Sequence, residues 1–362
     1  MPRARDLGIA VGAMRTGPTN SVLDIAGVGV GHATVHRDEP PPPVGRGLAR
    51  TGVTTVVLAE DAYLRPLPAG GAVLNGAGEC TGFLSAAEWG SAESPVLLTS
   101  TLQLGRVYDA ACEVLLERHP EAADDVPIPV VGECDDSFLN DCRRMQVTAH
   151  DVRASWEAAL AGRGTSDPPA EGAVGAGTGM SCFGFKGGIG TASRVTDDGH
   201  TVGVLLLTNF GRRHELVVAG RPVGRMLEDA APADQAPSGP DRPAGSCLGV
   251  VVTDAPLDGA SCARLARRIG LGLARTGSVA HHSSGEIFLG FSTGLRLDRD
   301  GRRITDRALV TGAALDPLFA ATVEAAEESV LNSMLGAATT HGRDGHVSHS
   351  LHDPALLPLL TR

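Results

Sequence analysis

Gly245 and Ser246 form a dipeptide at which covalent chemistry could begin. If the peptide bond between them is cut, Ser246 gains a free α-amine with an ordinary pKa of about 7.7–8.0. Such an amine can serve as the base that activates its own hydroxyl as a nucleophile. Gly at the preceding position leaves room for the hydroxyl to attack the glycine carbonyl in an N-to-O acyl shift. The pair alone is common, so an ordinary junction between a loop and a strand is the competing interpretation, and Cys247 is a rival nucleophile one bond later.

Three further polar side chains stand at the ends of apolar runs. Ser284 and Glu286 are two residues apart at the start of one run, so on a strand they point to the same side and could contact an amine or relay a proton. Asn209 ends another run and could donate an amide N–H to an oxyanion. The competing interpretations are a polar strand entrance for the pair and a turn cap for Asn209.

Lys186 is the only lysine among 31 basic side chains. It lies in the glycine-rich segment 175–194, which lacks the Gly-Lys-Ser/Thr order of a phosphate-binding loop because Phe185 precedes and Gly187 follows the lysine. We interpret the glycines as close backbone packing around a site. A bias toward arginine explains the count, and the one remaining lysine then marks a position where the larger, permanently charged guanidinium does not fit. Lys186 is therefore expected to support the active site.

The elements that must position these residues are predicted from recurring apolar runs bounded by turn residues. Runs rich in β-branched residues predict strands, and runs with a period near 3.6 predict helices. Helix starts are indicated by Asp258 or Ser261 and by Asp316-Pro317. The predicted strands are 53–59, 95–100, 128–132, 201–210, 247–253 and 286–291, and the predicted helices are 104–118, 262–275 and one that begins at residue 316. Strands mixed with helices over this length favour a layered α/β architecture.

The segment 228–245 differs from the rest of the chain. It is rich in Pro, Ala and Asp and has no periodicity, so we expect an exposed linker, with 231–244 as its processing region. The linker runs directly into the predicted strand 247–253. Ser246 would therefore be held rigidly at the start of a strand.

Composition excludes several classes of protein. Hydrophobic residues make up 42% of the 362 residues and charged residues 20%, so a large core is available and overall disorder is excluded. The net charge of −11 and the aromatic content of 3% disfavour nucleic-acid binding. Since no apolar run reaches the roughly 18 residues of a membrane span, and no convincing signal-peptide cleavage site is present, we expect no membrane association.

Cysteine and histidine spacing predicts no metal site. The 7 cysteines are scattered, which predicts reduced thiols and a cytoplasmic location. Four histidines near the C-terminus lie in a polar run without a neighbouring cysteine, so we expect a solvated or oligomer-contacting tail there; they are His341, His346, His349 and His352.

Taken together, these segments resemble the DmpA/BapA family of self-processing serine aminopeptidases, which includes L-aminopeptidase/D-esterases and β-peptidyl aminopeptidases. The similarity covers nearly the whole chain in order, and the combination is specific although each motif alone is weak. The motifs are 3–8 (RARDLG), 28–32 (VGVGH), 73–79 (VLNGAGE), 130–133 (VVGE), 138–141 (FLND), 185–194 (FKGGIGTASR), Asn209, Gly245-Ser246, 284–286 (SGE) and 342–345 (GRDG).

The resemblance implies one domain, residues 1–362, folded as an α/β four-layer αββα sandwich that is similar to the N-terminal-nucleophile hydrolases but differs in connectivity. Self-cleavage would divide an inactive precursor into an α chain, 1–245, and a β chain, 246–362, assembled as a homotetramer of αβ units. Ser246 carries over as the nucleophile and Asn209 as the oxyanion donor. Ser284 and Glu286 carry over as the polar support of the new amine.

The resemblance also implies the class of substrate. Glu133 would bind the free amino group of a small molecule or short peptide, with Asp135 as a helper, and no metal or organic cofactor is implied. One position departs from the family, which usually has a tyrosine where this chain has Phe138. Because that hydroxyl is expected to help hold the oxyanion, two alternatives stay open: acyl transfer from the same acyl-serine intermediate, and a non-catalytic binder of small ligands.

Overall fold

The computed structural model describes residues 1–230, 245–354 and 356–361. The predicted processing region, 231–244, lies outside the described residues. Strands and helices are numbered below in chain order.

One mixed sheet contains five strands within the described residues. Its parallel pair, β6 and β7, is joined by a helical crossover, the connection that parallel strands require. In spatial order the strands are β1 (Gly29–Arg37), β2 (Ala49–Val57), β6 (Val96–Ser100), β7 (Val130–Cys134) and β4 (Cys80–Thr81).

A second mixed sheet contains six strands of the described chain. Its parallel pair is β12 and β13, and the strands on both sides of this pair run antiparallel to it. In spatial order they are β10 (Gly188–Val195), β11 (Thr201–Asn209), β12 (Gly245–Thr253), β13 (Ser284–Ser292), β3 (Leu67–Gly76) and β5 (Ser91–Ala92).

Shorter pairs and the helices complete the described secondary structure. Strand β8 (Ser181–Cys182) pairs with β9 (Phe185–Lys186), and β14 (Thr340–His341) pairs with β15 (Val347–Ser348). The α-helices are α1 (Phe83–Trp89), α2 (Leu104–Arg118), α3 (Ala149–Ala161), α4 (Val223–Ala230), α5 (Gly259–Arg275), α6 (Asp316–Leu335) and α7 (Leu357–Thr361).

The two sheets face each other, and helices cover the outer face of each. Helices α2 and α3 pack on the five-stranded sheet, while α5 and α6 pack on the six-stranded sheet. Along β12, Leu248 and Val250 enter the core between the sheets, whereas Cys247 and Val251 enter the core beneath α5 and α6. This alternation gives a four-layer αββα sandwich, and the predicted fold is confirmed.

All six predicted strands and all three predicted helices are present. Asp258 caps α5, since its carboxylate accepts a hydrogen bond from the Ser261 N–H at 2.8 Å. Helix α6 differs by one position, because a preceding 3₁₀ turn makes Leu315 the N-cap and puts Asp316 inside the helix. No helix among the described residues is long and apolar enough to cross a lipid bilayer.

Candidate active site

Ser246 lies at the second position of β12, between two neighbouring strands. In register, Asn209 of β11 stands on one side of it and Gly285 of β13 on the other. Its side chain is on the same face of the strand as Leu248, which points towards the opposite sheet. The Ser246 hydroxyl is buried and has no hydrogen-bond partner among the described residues. A buried polar atom without a partner needs a physical explanation, and a catalytic role is one of them.

The Asn209 side chain is held at both of its ends. Its Oδ1 accepts a hydrogen bond from the Ser181 backbone N–H at 2.9 Å, and its Nδ2 donates to the Asp135 carbonyl at 2.8 Å. An amide NH₂ group carries two protons, so one N–H remains for a further acceptor. Asn209 can therefore stabilise an oxyanion formed beside Ser246.

Ser284 and Glu286 lie on the other face of the sheet from the Ser246 side chain. They stand in register with Gly245 and Cys247, the neighbours of Ser246 in β12. A Cβ atom built on Gly245 would lie 3.1 Å from Ser284 Oγ, so this hydroxyl is next to the Gly245–Ser246 bond. The pair is thus placed to serve an amine at Ser246 rather than its hydroxyl.

Glu286 is fully buried, and only one of its two carboxylate oxygens accepts a hydrogen bond within the described residues. The Ser284 hydroxyl donates to Glu286 Oε1, and Oε2 has no partner among the described residues. Burial raises the pKa of Glu286 to about 7, while the Ser284 hydrogen bond and the charge of His281 act in the opposite direction. A carboxyl group that titrates near neutral pH can accept or hold a proton under ordinary conditions.

Asn75 of β3 holds the turn that presents Ser284. Its Nδ2 lies 2.9 Å from the His281 carbonyl, 3.1 Å from the His282 carbonyl and 2.5 Å from the Ser284 carbonyl. The pairing of β13 with β3 is also irregular between Glu286 and Ile287. Sequence reasoning did not assign a role to Asn75, although the motif 73–79 contains it.

Glu133, at the end of β7, lies over the strand that neighbours Ser246. A Cβ atom built on Gly78 would be 3.1 Å from Glu133 Oε1 and 3.8 Å from Gly285 Cα. The Glu79 N–H donates to Oε1 at 2.9 Å, and the Thr101 hydroxyl donates to Oε2. Burial raises the pKa of Glu133, and these two hydrogen bonds oppose the shift.

Asp135 and Phe138 follow β7, and their side chains make contacts different from those of Glu133. The Asp135 carboxylate accepts from the Ser137 N–H at 2.8 Å and from its hydroxyl at 3.0 Å, so only the Asp135 carbonyl contacts Asn209. The half-buried Phe138 ring stacks on His346 with centroids 4.5 Å apart. Within the described residues Phe138 makes its ring contact with His346 rather than with Ser246, and a phenyl ring supplies no hydrogen-bond donor.

Cys134, which sequence reasoning did not assign, lies beside the nucleophile candidate. Burial raises the pKa of its thiol well above the ordinary value, and the adjacent Ser246 hydroxyl opposes this shift. The two groups are close, but their geometry is not that of a standard hydrogen bond. The Cys134 thiol donates instead to the Leu207 carbonyl at 3.8 Å.

Lys186 is fully buried in β9, directly opposite Ser181 of β8. Its ammonium donates to three backbone carbonyls, those of Gly177, Met180 and Gly187, at 2.9, 2.6 and 2.8 Å. Burial lowers the pKa of Lys186 to about 7, and the negative charge of Asp136 opposes this shift. The lysine therefore contacts the segment that holds Asn209 and not Ser246 itself.

Two of the C-terminal histidines contact distant parts of the described chain, in the run that is predicted to be a solvated or oligomer-contacting tail. Besides stacking on Phe138, His346 binds the Phe138 carbonyl through Nδ1 at 2.7 Å, and the His349 carbonyl accepts from the Lys186 N–H at 2.7 Å. Within the described residues, no group of His, Cys, Asp and Glu side chains is arranged to hold a metal ion.

Comparison with known proteins gives consistent matches over almost the entire chain. The model of peptidase family S58 matches residues 20–348. The β-peptidyl aminopeptidase BapA of Sphingosinicella microcystinivorans is 37% identical over 100% of this chain and 92% of its own.

Solved structures agree with this match. The PH0078 protein of Pyrococcus horikoshii superposes with a TM-score of 0.88 at 38% identity, covering 99% of this chain and 98% of its own. The L-aminopeptidase D-Ala-esterase/amidase of Ochrobactrum anthropi superposes with a TM-score of 0.87 at 34% identity, with the same coverage, and is described as a variant of the Ntn hydrolase fold.

Proposed function

Because this chain belongs to peptidase family S58, we propose that it is a serine aminopeptidase that activates itself by cutting the bond before Ser246. The mature enzyme then removes an N-terminal residue from a small amide, ester or short peptide that carries a free amino group. In keeping with the resemblance and with 7 free cysteines, we propose that its αβ units assemble as a homotetramer in the cytoplasm.

One observation carries this proposal. The Ser246 hydroxyl is buried without a partner, while polar groups suited to each step of acyl transfer surround it. Asn209 stands opposite it with a spare N–H, Ser284 and Glu286 lie beside its backbone nitrogen, and Glu133 lies over the neighbouring strand. A merely structural serine at a strand start would not need this surrounding set.

Maturation follows from the position of the hydroxyl next to the Gly245 carbonyl in the chain. Ser246 Oγ attacks that carbonyl carbon, the C–N bond breaks, and the nitrogen gains a proton as the Gly245 ester of Ser246 forms. Water then hydrolyses the ester, which leaves a carboxylate on Gly245 and a free amine on Ser246. The amide nitrogen of the precursor is not basic, whereas the new amine can accept a proton near neutral pH.

The same groups support turnover of a substrate. The α-amine of Ser246 takes the hydroxyl proton, Oγ attacks the substrate carbonyl, and the spare N–H of Asn209 binds the resulting oxyanion. Collapse of this intermediate expels the leaving amine, which takes the proton, and water then releases the acyl group from Ser246. The Ser284–Glu286 pair holds the α-amine in place throughout.

Glu133 is proposed to select substrates with a free amino group. Its carboxyl group is buried, and burial raises its pKa. A substrate ammonium would stabilise the ionised carboxylate by direct ion pairing, which lowers that pKa again. An uncharged N-acylated substrate offers no such compensation and is expected to bind poorly.

Denaturing mass spectrometry of wild type, Ser246→Ala and Ser246→Cys tests the proposal. Wild type should separate into 1–245 and 246–362, and the second fragment should begin Ser-Cys-Leu-Gly. Ser246→Ala should remain one chain without activity, since both steps need the same oxygen. Ser246→Cys should still cleave, because a thiol also makes the acyl shift. An uncut wild-type chain with full aminopeptidase activity would refute both the processing and the nucleophile assignment.

A further inference from the structure

One peptide group connects the buried lysine to the proposed oxyanion site. The carbonyl of Met180 accepts a hydrogen bond from Lys186 Nζ at 2.6 Å. The nitrogen of this same peptide group belongs to Ser181, and its N–H donates to Asn209 Oδ1 at 2.9 Å. Lys186, this peptide and the Asn209 carboxamide therefore form a continuous chain of hydrogen bonds.

The contacts of Lys186 require its ammonium form. Three carbonyl oxygens surround Nζ, and each lies within 2.9 Å of it. An ammonium has three protons and satisfies all three acceptors, whereas a neutral amine has only two. Since all three protons bind uncharged carbonyls, the positive charge acts on the surrounding peptide groups in a region of low dielectric.

The backbone that supplies the acceptors of Lys186 is closely packed. Two of its acceptors belong to glycines, and a Cβ atom on Gly177 would lie 2.5 Å from the Gly172 carbonyl oxygen. A Cβ atom on Gly187 would lie 2.7 Å from the Thr208 carbonyl oxygen. A planar guanidinium, whose donors point in a fixed fork, cannot satisfy the same three acceptors.

The orientation of the Asn209 amide is fixed by its two partners. The Ser181 N–H can only donate and the Asp135 carbonyl can only accept, so Oδ1 must face Ser181 and Nδ2 must face Asp135. The second proton of Nδ2 then points away from Asp135. A reversed amide would present a carbonyl oxygen and would repel an oxyanion.

We propose that Lys186 is a positioning residue for the oxyanion site. Its ammonium polarises the Met180–Ser181 peptide, the Ser181 N–H in turn binds and polarises the Asn209 carboxamide, and the spare Asn209 N–H thereby becomes a stronger and better-aimed donor. Hydrogen bonds that follow one another in a chain strengthen each other in this way. This inference rests on the proposed role of Asn209 as oxyanion donor.

A double-mutant cycle tests the link between the two residues. Turnover of an aminoacyl p-nitroanilide is measured for mature wild type, Lys186→Met, Asn209→Ala and the double variant. Loss of one oxyanion donor lowers kcat by about 10²–10³-fold, so Lys186→Met should lower kcat by up to about 10²-fold while KM changes less than about threefold. In the Asn209→Ala background the same substitution should lower kcat less than about threefold.

Cys182→Ala is the matched control. Cys182 is fully buried in the same β8–β9 pair, but the Asn209 amide binds Ser181 and Asp135 and not Cys182. The control should lower stability and leave kcat nearly unchanged. Equal losses from Lys186→Met in both backgrounds, or the same kcat loss from Cys182→Ala, would overturn the link. If Asn209→Ala alone leaves kcat unchanged, the oxyanion assignment of the proposed function fails instead.

A measurement on wild type decides the question even if Lys186→Met does not fold. Because Lys186 is the only lysine, protein labelled with ¹⁵N-lysine gives a single side-chain resonance. An aminoalkyl boronic acid places a tetrahedral oxyanion on Ser246. We expect this adduct to shift the ¹⁵Nζ resonance in wild type and not in Asn209→Ala. An unchanged resonance in the fully labelled wild-type adduct would refute the proposal.

Discussion

At the scale of single residues, strand register separates the two functions proposed for Ser246. Its hydroxyl points towards the opposite sheet, with Asn209 beside it on β11 of the same sheet and Glu133 on β7 of the opposite one, while Ser284 and Glu286 lie on the other face, in register with Gly245 and Cys247. Nucleophile and base can thus belong to one residue and still have separate surroundings.

Glu286 provides a prediction about stability and pH. Its pKa of about 7 in the folded chain is above the ordinary 4.5, so folding favours the protonated form. The resulting stability is present below pH 4.5 and is lost as the pH rises through 7. In the uncut Ser246→Ala chain, Glu286→Gln should therefore raise the free energy of unfolding at pH 8.5 by on the order of 2 kcal/mol and change it little at pH 4.5.

Urea unfolding of Ser246→Ala with and without Glu286→Gln measures this difference. The Ser246→Ala background excludes the new amine, so only the burial of the carboxyl group is compared. Other groups that titrate contribute equally to both chains and cancel. A difference that does not depend on pH would show that the pKa of Glu286 is the same in the folded and the unfolded chain.

At the scale of elements, helix α6 is joined to the six-stranded sheet by a buried arginine. Arg194 of β10 is fully buried, and it binds Glu324 at 3.0 Å and Glu328 at 2.6 Å. Glu328 also accepts from the half-exposed Arg5 and from Asn20. Charged groups this deep are tolerated only because each of them is paired.

Removing Arg194 should leave two carboxylates without their main partner. We expect Arg194→Met to lower the free energy of unfolding by about 3–5 kcal/mol, the usual effect of breaking a buried ion pair. Arg5→Met is the matched control, because it loses an ion pair to the same Glu328 from a partly exposed position and should lower stability by at most about 1 kcal/mol. Urea unfolding of both variants in the uncut Ser246→Ala chain gives the comparison, and equal losses would contradict it.

Elements and side-chain links differ in how far the sequence predicts them. Apolar runs and helix periods identified six of the strands and three of the helices, because these patterns are local and strong, whereas β1, β3, β10 and α3 were not predicted. The roles of Asn75, Ser181 and Thr101 depend on which distant strands become neighbours, and no local pattern contains that information. Lys186 was only partly predictable. As the only lysine it was singled out from the sequence, but the pairing of β8 with β9 is needed to identify the peptide group that it binds.

At the scale of the whole molecule, the two proposed fragments are interleaved. Residues 246–362 would supply β12 and β13, and these strands are flanked by β11 on one side and β3 on the other, both from residues 1–245. The same fragment would supply α5 and α6, which cover the outer face of this sheet. Separation would therefore expose two strand edges and two core layers at once.

This arrangement predicts that cutting the chain changes how unfolding depends on concentration while the fold persists. The fragments of wild type should co-elute on native size exclusion and separate only in denaturant. Because unfolding of the cut protein releases two chains, its urea midpoint should rise with protein concentration by mass action. The uncut Ser246→Ala chain releases none, so its subunit unfolding, measured at concentrations where its oligomeric state is constant, should show no such rise. Elution of free 246–362 from native wild type would mean that the interleaved strands do not hold the two parts together.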